Sequence, residues 1–599
     1  MKLRFRNLLT FIKLVALLML LQSFVLSAHG TVHPTRFIAT DGENNSDCSD
    51  PHNPCASITY AVELSSKGDK IYLAGGEYFS TGMDLFYLLS GLVSIEAGYS
   101  KTDHFQKRNV NKNTTVFYGV PAQYREKLQA MGFNVVTDAK ALDIKISTTE
   151  IKLLADFERI NKSAQSYTAC TNGFAADFEC NGLALQSRLP SSILHSSSPS
   201  LNDVWGFVDL NDNREYAIVG LTNGTTVIDV TDPTTPVNKG FVSGLTSTWR
   251  DLKVFQFWDA ANNRYQAYAY VTTEARQGLQ IIDLGDLPNS ISLAAAITDF
   301  SRAHNIYIAN VDYSTGLTIE GMTPFIYVAG SNLSNGAFRV YDLTDPEAPA
   351  LVSSAPTGSG YVHDVTTFTI TDSRTNQCAE AHNPCELLVD FNESTVDIWD
   401  MTDKQLPFLI SRTGYPNAGY THSGWWSQDK QFIFIQDELD EKNTGSNTLL
   451  RTLDISDLFA PFVSNIYTGP TQAIDHNGFT VGNRYYMSNY RRGLTVFDIS
   501  NPNQPREISF FDTYPNPSAN SATFAGAWGT YPFLPSGNIL ITDSSYGLFI
   551  VKDAPNVNEP SPSTTPSNSS GGGSGEMPLL MFLALLLFVR LVLRSEGTS

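Results

Sequence analysis

The chain is 599 residues long, 42% apolar and only 17% charged, with 35 Phe, 26 Tyr and 7 Trp. The apolar content excludes a wholly disordered chain, and the aromatic richness points to strands. A formal charge of −20 argues against a nucleic-acid binder, which needs a basic footprint.

That charge is uneven. Lys2, Arg4, Arg6 and Lys13 stand in the first 30 residues, which hold no acid. An apolar stretch from Leu14 to Leu26 follows, then the small residues Ser27, Ala28 and Gly30. Residues 1–30 therefore read as a secretory signal peptide cleaved near 28–30. Left uncleaved it would be a membrane anchor, and either way the chain is exported. The six cysteines fall as local pairs, Cys48 with Cys55, Cys170 with Cys180 and Cys378 with Cys385. An even count in an exported chain predicts three short-loop disulfides.

Residues 31–120 carry two strand-plus-glycine units, Lys70-Ile71-Tyr72-Leu73-Ala74-Gly75-Gly76 and Leu92-Val93-Ser94-Ile95-Glu96-Ala97-Gly98. They resemble the first rungs of a parallel β-helix. Two rungs are fewer than a free-standing solenoid needs, so this piece is expected to pack on the rest. Residues 121–199 read as a mixed α/β connection, with a helix at Ala122–Met131 and a strand at Phe133–Val136.

From residue 200 a repeat sets in. Short apolar runs end in Asp229, Asp283, Asp342, Asp400, Asp454 and Asp498, and a seventh ends in Lys552; successive spacings lie between 44 and 59 residues. Several continue as Asp-Pro-x-x-Pro, as at Asp232-Pro233 and Asp345-Pro346, and the repeated Asp is expected to cap that turn. A second element precedes each run: Asp203, Asp251, His304, His363, His422, His476 and Trp528 each open or lead into another short strand. Seven of each element predict a mainly β fold, a seven-bladed β-propeller over 200–553 behind the small β-helix-like and mixed N-terminal region.

The Gly-x-x-Val-Ile-Asp strand at Gly224–Asp229 resembles the LVIVD repeat. The Trp-Arg-Asp, Ala-His-Asn, Tyr-x-His-Asp and Tyr-Thr-His-x-Gly-Trp segments, with Asp437–Glu441, Ile474–Asn477 and Ser488–Arg491, resemble the choice-of-anchor B proteins. The resemblance implies a secreted or surface propeller and supplies no settled activity.

In a four-stranded blade the innermost strand lines the channel, so the strand openers share one face with the loops between second and third strands. Those loops contribute Glu274, Glu393, Asp437, Glu438, Asn489 and Arg491. Four of the ten histidines, His304, His363, His422 and His476, open strands in four consecutive blades. With Asp251, Asp364 and Asp475 beside them they form an arc of imidazoles and carboxylates, the ligand set of a divalent metal ion. Such repetition would also arise if each His or Asp bonded the backbone of the next blade. The acidic run Asp437–Glu441 is read as a solvated loop, with calcium binding as its alternative.

Residues 554–576 form a Pro/Ser/Gly linker and 577–599 an apolar run followed by Arg590 and Arg594. Their order resembles the GlyGly-CTERM sorting tail, which implies display on a Gram-negative surface after proteolytic sorting; a permanent membrane anchor is the alternative. The expected function is an exported, cell-surface or membrane-anchored binding module, monomeric, whose partners are the export and sorting machinery and an extracellular ligand. The alternative is a metal-dependent hydrolase or lyase using the His/Asp ring.

Overall fold

Alternating apolar and polar residues after Leu201 fold into seven successive antiparallel sheets, the first six built in sequence order from the channel outward. This computed structural model describes residues 34–554 except 66–67, 80–81, 91–92, 138–147, 357 and 516–520. The expected signal peptide and C-terminal tail lie outside the described residues. Among those described, no helix is long and apolar enough to cross a membrane.

The innermost strands are Leu201–Asp209, Arg250–Asp259, Asn305–Ala309, Asp364–Ile370, Thr421–Trp426, Gly478–Val481 and Ala527–Tyr531, in blades 1 to 7. Each packs on the innermost strand of the next blade, and the first packs on the last, so the ring closes. Burial follows position. Every residue of Leu201–Asp209 is buried, whereas the outermost strand of the same blade, Val237–Ser243, is largely exposed.

Two details repeat with the blades. The outer strand slips register against the third strand at the same place in all seven, for example between Val227 and Ile228 and between Val496 and Phe497. Such a bulge sharpens twist where a blade splays outward. The Asp ending each third strand accepts a hydrogen bond on Oδ1 from the amide two residues on. It does so at Asp229, Asp283, Asp342, Asp400, Asp454 and Asp498. These are Asx turns, and they explain why the repeat keeps Asp there.

The seventh blade draws its outermost strand from ahead of the repeat. Leu183–Leu189 pairs antiparallel with Gly547–Asp553, and the pairing keeps the blade bulge, between Ile550 and Val551. The hairpin Phe174–Ala175/Phe178–Asn181 extends the outer edge of blade 6. One segment thus joins the last two blades and removes a free sheet edge.

Upstream, Thr35–Ile38, Lys70–Ala74 and Ser94–Tyr99 form one parallel sheet, and Gly76–Phe79, Thr115–Tyr118 and Asn134–Val136 another. Gly75 alone separates Lys70–Ala74 from Gly76–Phe79, which makes the corner of a β-helix-like rung. This piece does not stand alone. Phe86, Phe157 and Phe178 share a hydrophobic core with Phe511, Tyr546 and Phe549 of blades 6 and 7. All three disulfides join the expected cysteine pairs.

The N-terminal region also reaches the channel mouth. Gly68, at φ +85°, lies against the Trp249 ring; a Cβ there would stand 1.9 Å from Trp249 Cη2. Lys442 of blade 5 donates to the Ser65 carbonyl at 2.5 Å. The buried Arg36–Asp69 ion pair, 2.9 Å, anchors the same corner.

Candidate metal centre at the channel mouth

The channel is layered. Near the N-terminal region lies a small hollow of about 30 Å³ lined by the four histidines, Trp249 and Trp528 among others. Below it a second hollow, about 20 Å³, is lined by Asp203, Asp251, Lys253 and Asp364 among others. Beyond that the rings of Trp205, Tyr313, Trp425, Phe479 and Phe533 meet edge-on or tilted and fill the axis.

The four imidazoles form a continuous arc. Ring centroids stand 4.2 Å apart for His304 and His363, 4.1 Å for His363 and His422, and 4.3 Å for His422 and His476. All four are buried. Inter-blade bonding orients three of them: His363 Nδ1 donates to the His422 carbonyl at 2.8 Å and His476 Nδ1 to the Trp528 carbonyl at 2.5 Å. His304 Nδ1 lies 2.6 Å from Glu274 Oε1. A carbonyl only accepts, so Nδ1 carries the proton in His363 and His476, and the neutral ring presents its lone pair at Nε2. The backbone-bonding role and a ligand role are therefore filled by different nitrogens of one ring.

Glu438 lies where the Nε2 edges of His476 and His422 converge. His476 Nε2 is 3.5 Å from Glu438 Oε1, and His422 Nε2 is 3.7 Å from Oε2. Two ligand atoms each about 2.0–2.1 Å from a tetrahedral ion stand about 3.3 Å apart, so this spacing suits a shared metal better than a direct hydrogen bond. The Tyr490 hydroxyl donates to Glu438 Oε1 at 2.5 Å and orients the carboxylate. His422, Glu438 and His476 can each offer one atom within 4.8 Å of the others.

Of the sequence-derived carboxylates, Asp251 lines both hollows, whereas Asp364 lines only the lower one. Asp251 accepts from Lys253 Nζ at 2.7 Å and from the Ile306 amide at 2.8 Å. Asp364 lines the same lower hollow, where withdrawal from water and the neighbouring Asp251 push its carboxyl up to about 7. Burial, then Asp251, likewise pushes Asp203 well above the carboxylate range. Lys253, 4.6 Å from the Trp205 ring centre, is the ammonium of that layer. Asp475 turns away from the arc toward Asp440 and Glu441.

The acidic run is not a solvated loop. Asp437, Glu438, Asp440 and Glu441 are all buried, because the turn folds inward under the N-terminal region as the short helix Asp440–Thr444. The sequence places Glu438 on this face but does not mark it as a ligand; its one signal is position, directly after the second strand of blade 5, which pairs with the strand that His422 helps to open. The group Cys378, Cys385 and Asp400 also converges, but its sulfurs are joined in a disulfide.

Residues 213–243 and 481–513 match the LVIVD repeat, on the second to fourth strands of blades 1 and 6. No curated protein matches the chain. Two solved structures to which it is similar are "COPII on membranes, outer coat vertex" and "The structure of the COPII coat assembled on membranes". Both align at TM-score 0.40 and 10% identity over 60% of this chain, covering 85% and 47% of theirs. The propeller assignment rests on the seven sheets themselves.

Proposed function

We propose that this LVIVD-repeat propeller is an exported binding module whose recognition element is a divalent transition metal at the channel mouth, held by His422, His476 and Glu438. The observation that carries the reading is the convergence of the His476 and His422 Nε2 atoms on one buried carboxylate at 3.5 and 3.7 Å. Two imidazoles and a carboxylate are a three-ligand set that leaves a fourth position for a small oxygen or nitrogen donor. The Trp528 carbonyl and the Tyr490 hydroxyl hold two of the ligands from behind, as outer-shell partners do.

The surrounding hollow has room for about one or two waters, so the donor at that fourth position is about the size of water. Surface display follows from the leader and tail of the sequence, and the three disulfides are compatible with an oxidising compartment. No observation among the described residues favours the hydrolase or lyase alternative.

Metal analysis of the protein purified without chelator tests the reading. One equivalent of transition metal per chain is expected, lost in His422→Ala and Glu438→Ala and retained in His304→Ala. Absence of metal, or equal content in all three variants, would overturn it.

A further inference from the structure

A second group of buried carboxylates lies beside the histidine arc and differs from it in chemistry. Asp440 and Glu441 begin the short helix after the second strand of blade 5, and Asp475 precedes the innermost strand of blade 6. All three are at most 1% exposed, and one oxygen of each lies within 4.8 Å of the others. Asp440 Oδ2 accepts from Arg451 Nη2 at 2.5 Å. Asp440 Oδ1 and both oxygens of Glu441 and of Asp475 accept no hydrogen bond of good geometry from an amide, hydroxyl or cationic donor.

The neighbouring Asp437 shows what a satisfied carboxylate in this loop looks like. It accepts from the Gly419 amide at 2.8 Å, the Tyr420 amide at 2.6 Å and the Tyr415 hydroxyl at 3.0 Å. Three acids share one guanidinium, more carboxylate than that cation can pair, and buried carboxylates are satisfied where they are paired or coordinate a metal.

We propose that Asp440, Glu441 and Asp475 bind a calcium ion that ties blade 5 to blade 6. Five carboxylate oxygens and no nitrogen make a hard, flexible ligand set, which suits calcium's six to eight oxygens rather than the strict octahedron of magnesium or the mixed ligands of zinc. Asp440 lies two residues from Glu438, and Asp475 is next to His476. The ion would therefore brace the two segments that carry the histidine centre, while its own ligands are independent of that centre.

Calcium titration of the chelator-treated full chain, followed by calorimetry and by thermal unfolding, tests this. One calcium per chain and a raised Tm are expected. Glu441→Gln and Asp475→Asn keep shape and remove charge. Each should weaken calcium binding roughly 100-fold, with a calcium-free Tm no lower than that of the wild type. His422→Ala should bind calcium as the wild type does, which separates this site from the transition-metal centre.

Failure of the wild type to bind at about 10 mM calcium, beyond the weakest affinities usual for extracellular modules, would overturn the proposal. So would wild-type calcium affinity in both carboxylate variants, or an equal response to magnesium alone. The wild-type titration decides even if a variant does not fold.

Discussion

His476 Nε2 faces Glu438 Oε1 at 3.5 Å while the opposite ring nitrogen is held by the Trp528 carbonyl of the next blade. The ring cannot turn without breaking that inter-blade bond, so the architecture that closes the ring also aims a ligand. Tyr490 acts on the other partner through its hydroxyl. Tyr490→Phe keeps the buried ring and removes only that bond. Metal affinity is expected to fall about 10-fold, with stoichiometry unchanged, as for the loss of an outer-shell partner. Competition with a chromogenic chelator measures it, and unchanged affinity would remove Tyr490 from the centre.

Gly68 lies too close to Trp249 for any side chain. Gly68→Val should destabilise the seating of the N-terminal region by about 1–3 kcal/mol, the cost of overpacking a filled contact. Chemical denaturation followed by Trp fluorescence reads both the loss and the altered Trp249 environment. A variant as stable as the wild type would mean that this corner does not rest on the mouth.

Asp364 sets a pH dependence. Its carboxyl is held up to about 7 in the folded chain against an ordinary 3.8. The folded state therefore binds the proton more tightly. The stabilisation is full below about pH 4 and is lost as pH rises through about 7. Asp364→Asn mimics the protonated form, so it should match the wild type near pH 4 and exceed it at pH 8 by a few kcal/mol at most. Urea denaturation across that range tests the sign. A variant less stable at pH 8 would show that the ionised carboxylate is needed beside Lys253.

Leu185, fully buried, sits in the strand that completes blade 7. Leu185→Ala should cost about 2–5 kcal/mol, as a cavity in a packed core does. Gln186→Ala, on the neighbouring and partly exposed position, should cost little. Equal effects in thermal unfolding would mean that Leu183–Leu189 is not a structural part of the ring.

The propeller was legible because a blade writes its period twice, in the Asp that closes the third strand and in the residue that opens the first. The closing strand was not, because Leu183–Leu189 lacks the Gly and Asp that mark the other blades and pairs with residues more than 350 positions away. The histidine arc was readable from four openers in consecutive blades. Its carboxylate partner was not, since Asp437–Glu441 has the composition of a surface loop. Its burial comes from tertiary partners far along the chain, Tyr490 on Glu438 and Arg451 on Asp440. Asp251 and Asp475 share the openers' spacing with the histidines, but linear spacing does not say which way a side chain turns. Asp251 is drawn down to Lys253, and Asp475 turns toward Asp440 and Glu441.

The central claim is a metal ion shared by His422, His476 and Glu438. Anomalous diffraction from crystals of the native protein, collected on both sides of the absorption edge of the metal found by elemental analysis, tests it most directly. The account predicts one anomalous peak between the two Nε2 atoms and the Glu438 carboxylate, about 2.0–2.2 Å from each. Ordered density there without anomalous signal, or a peak bound by other residues, would contradict it.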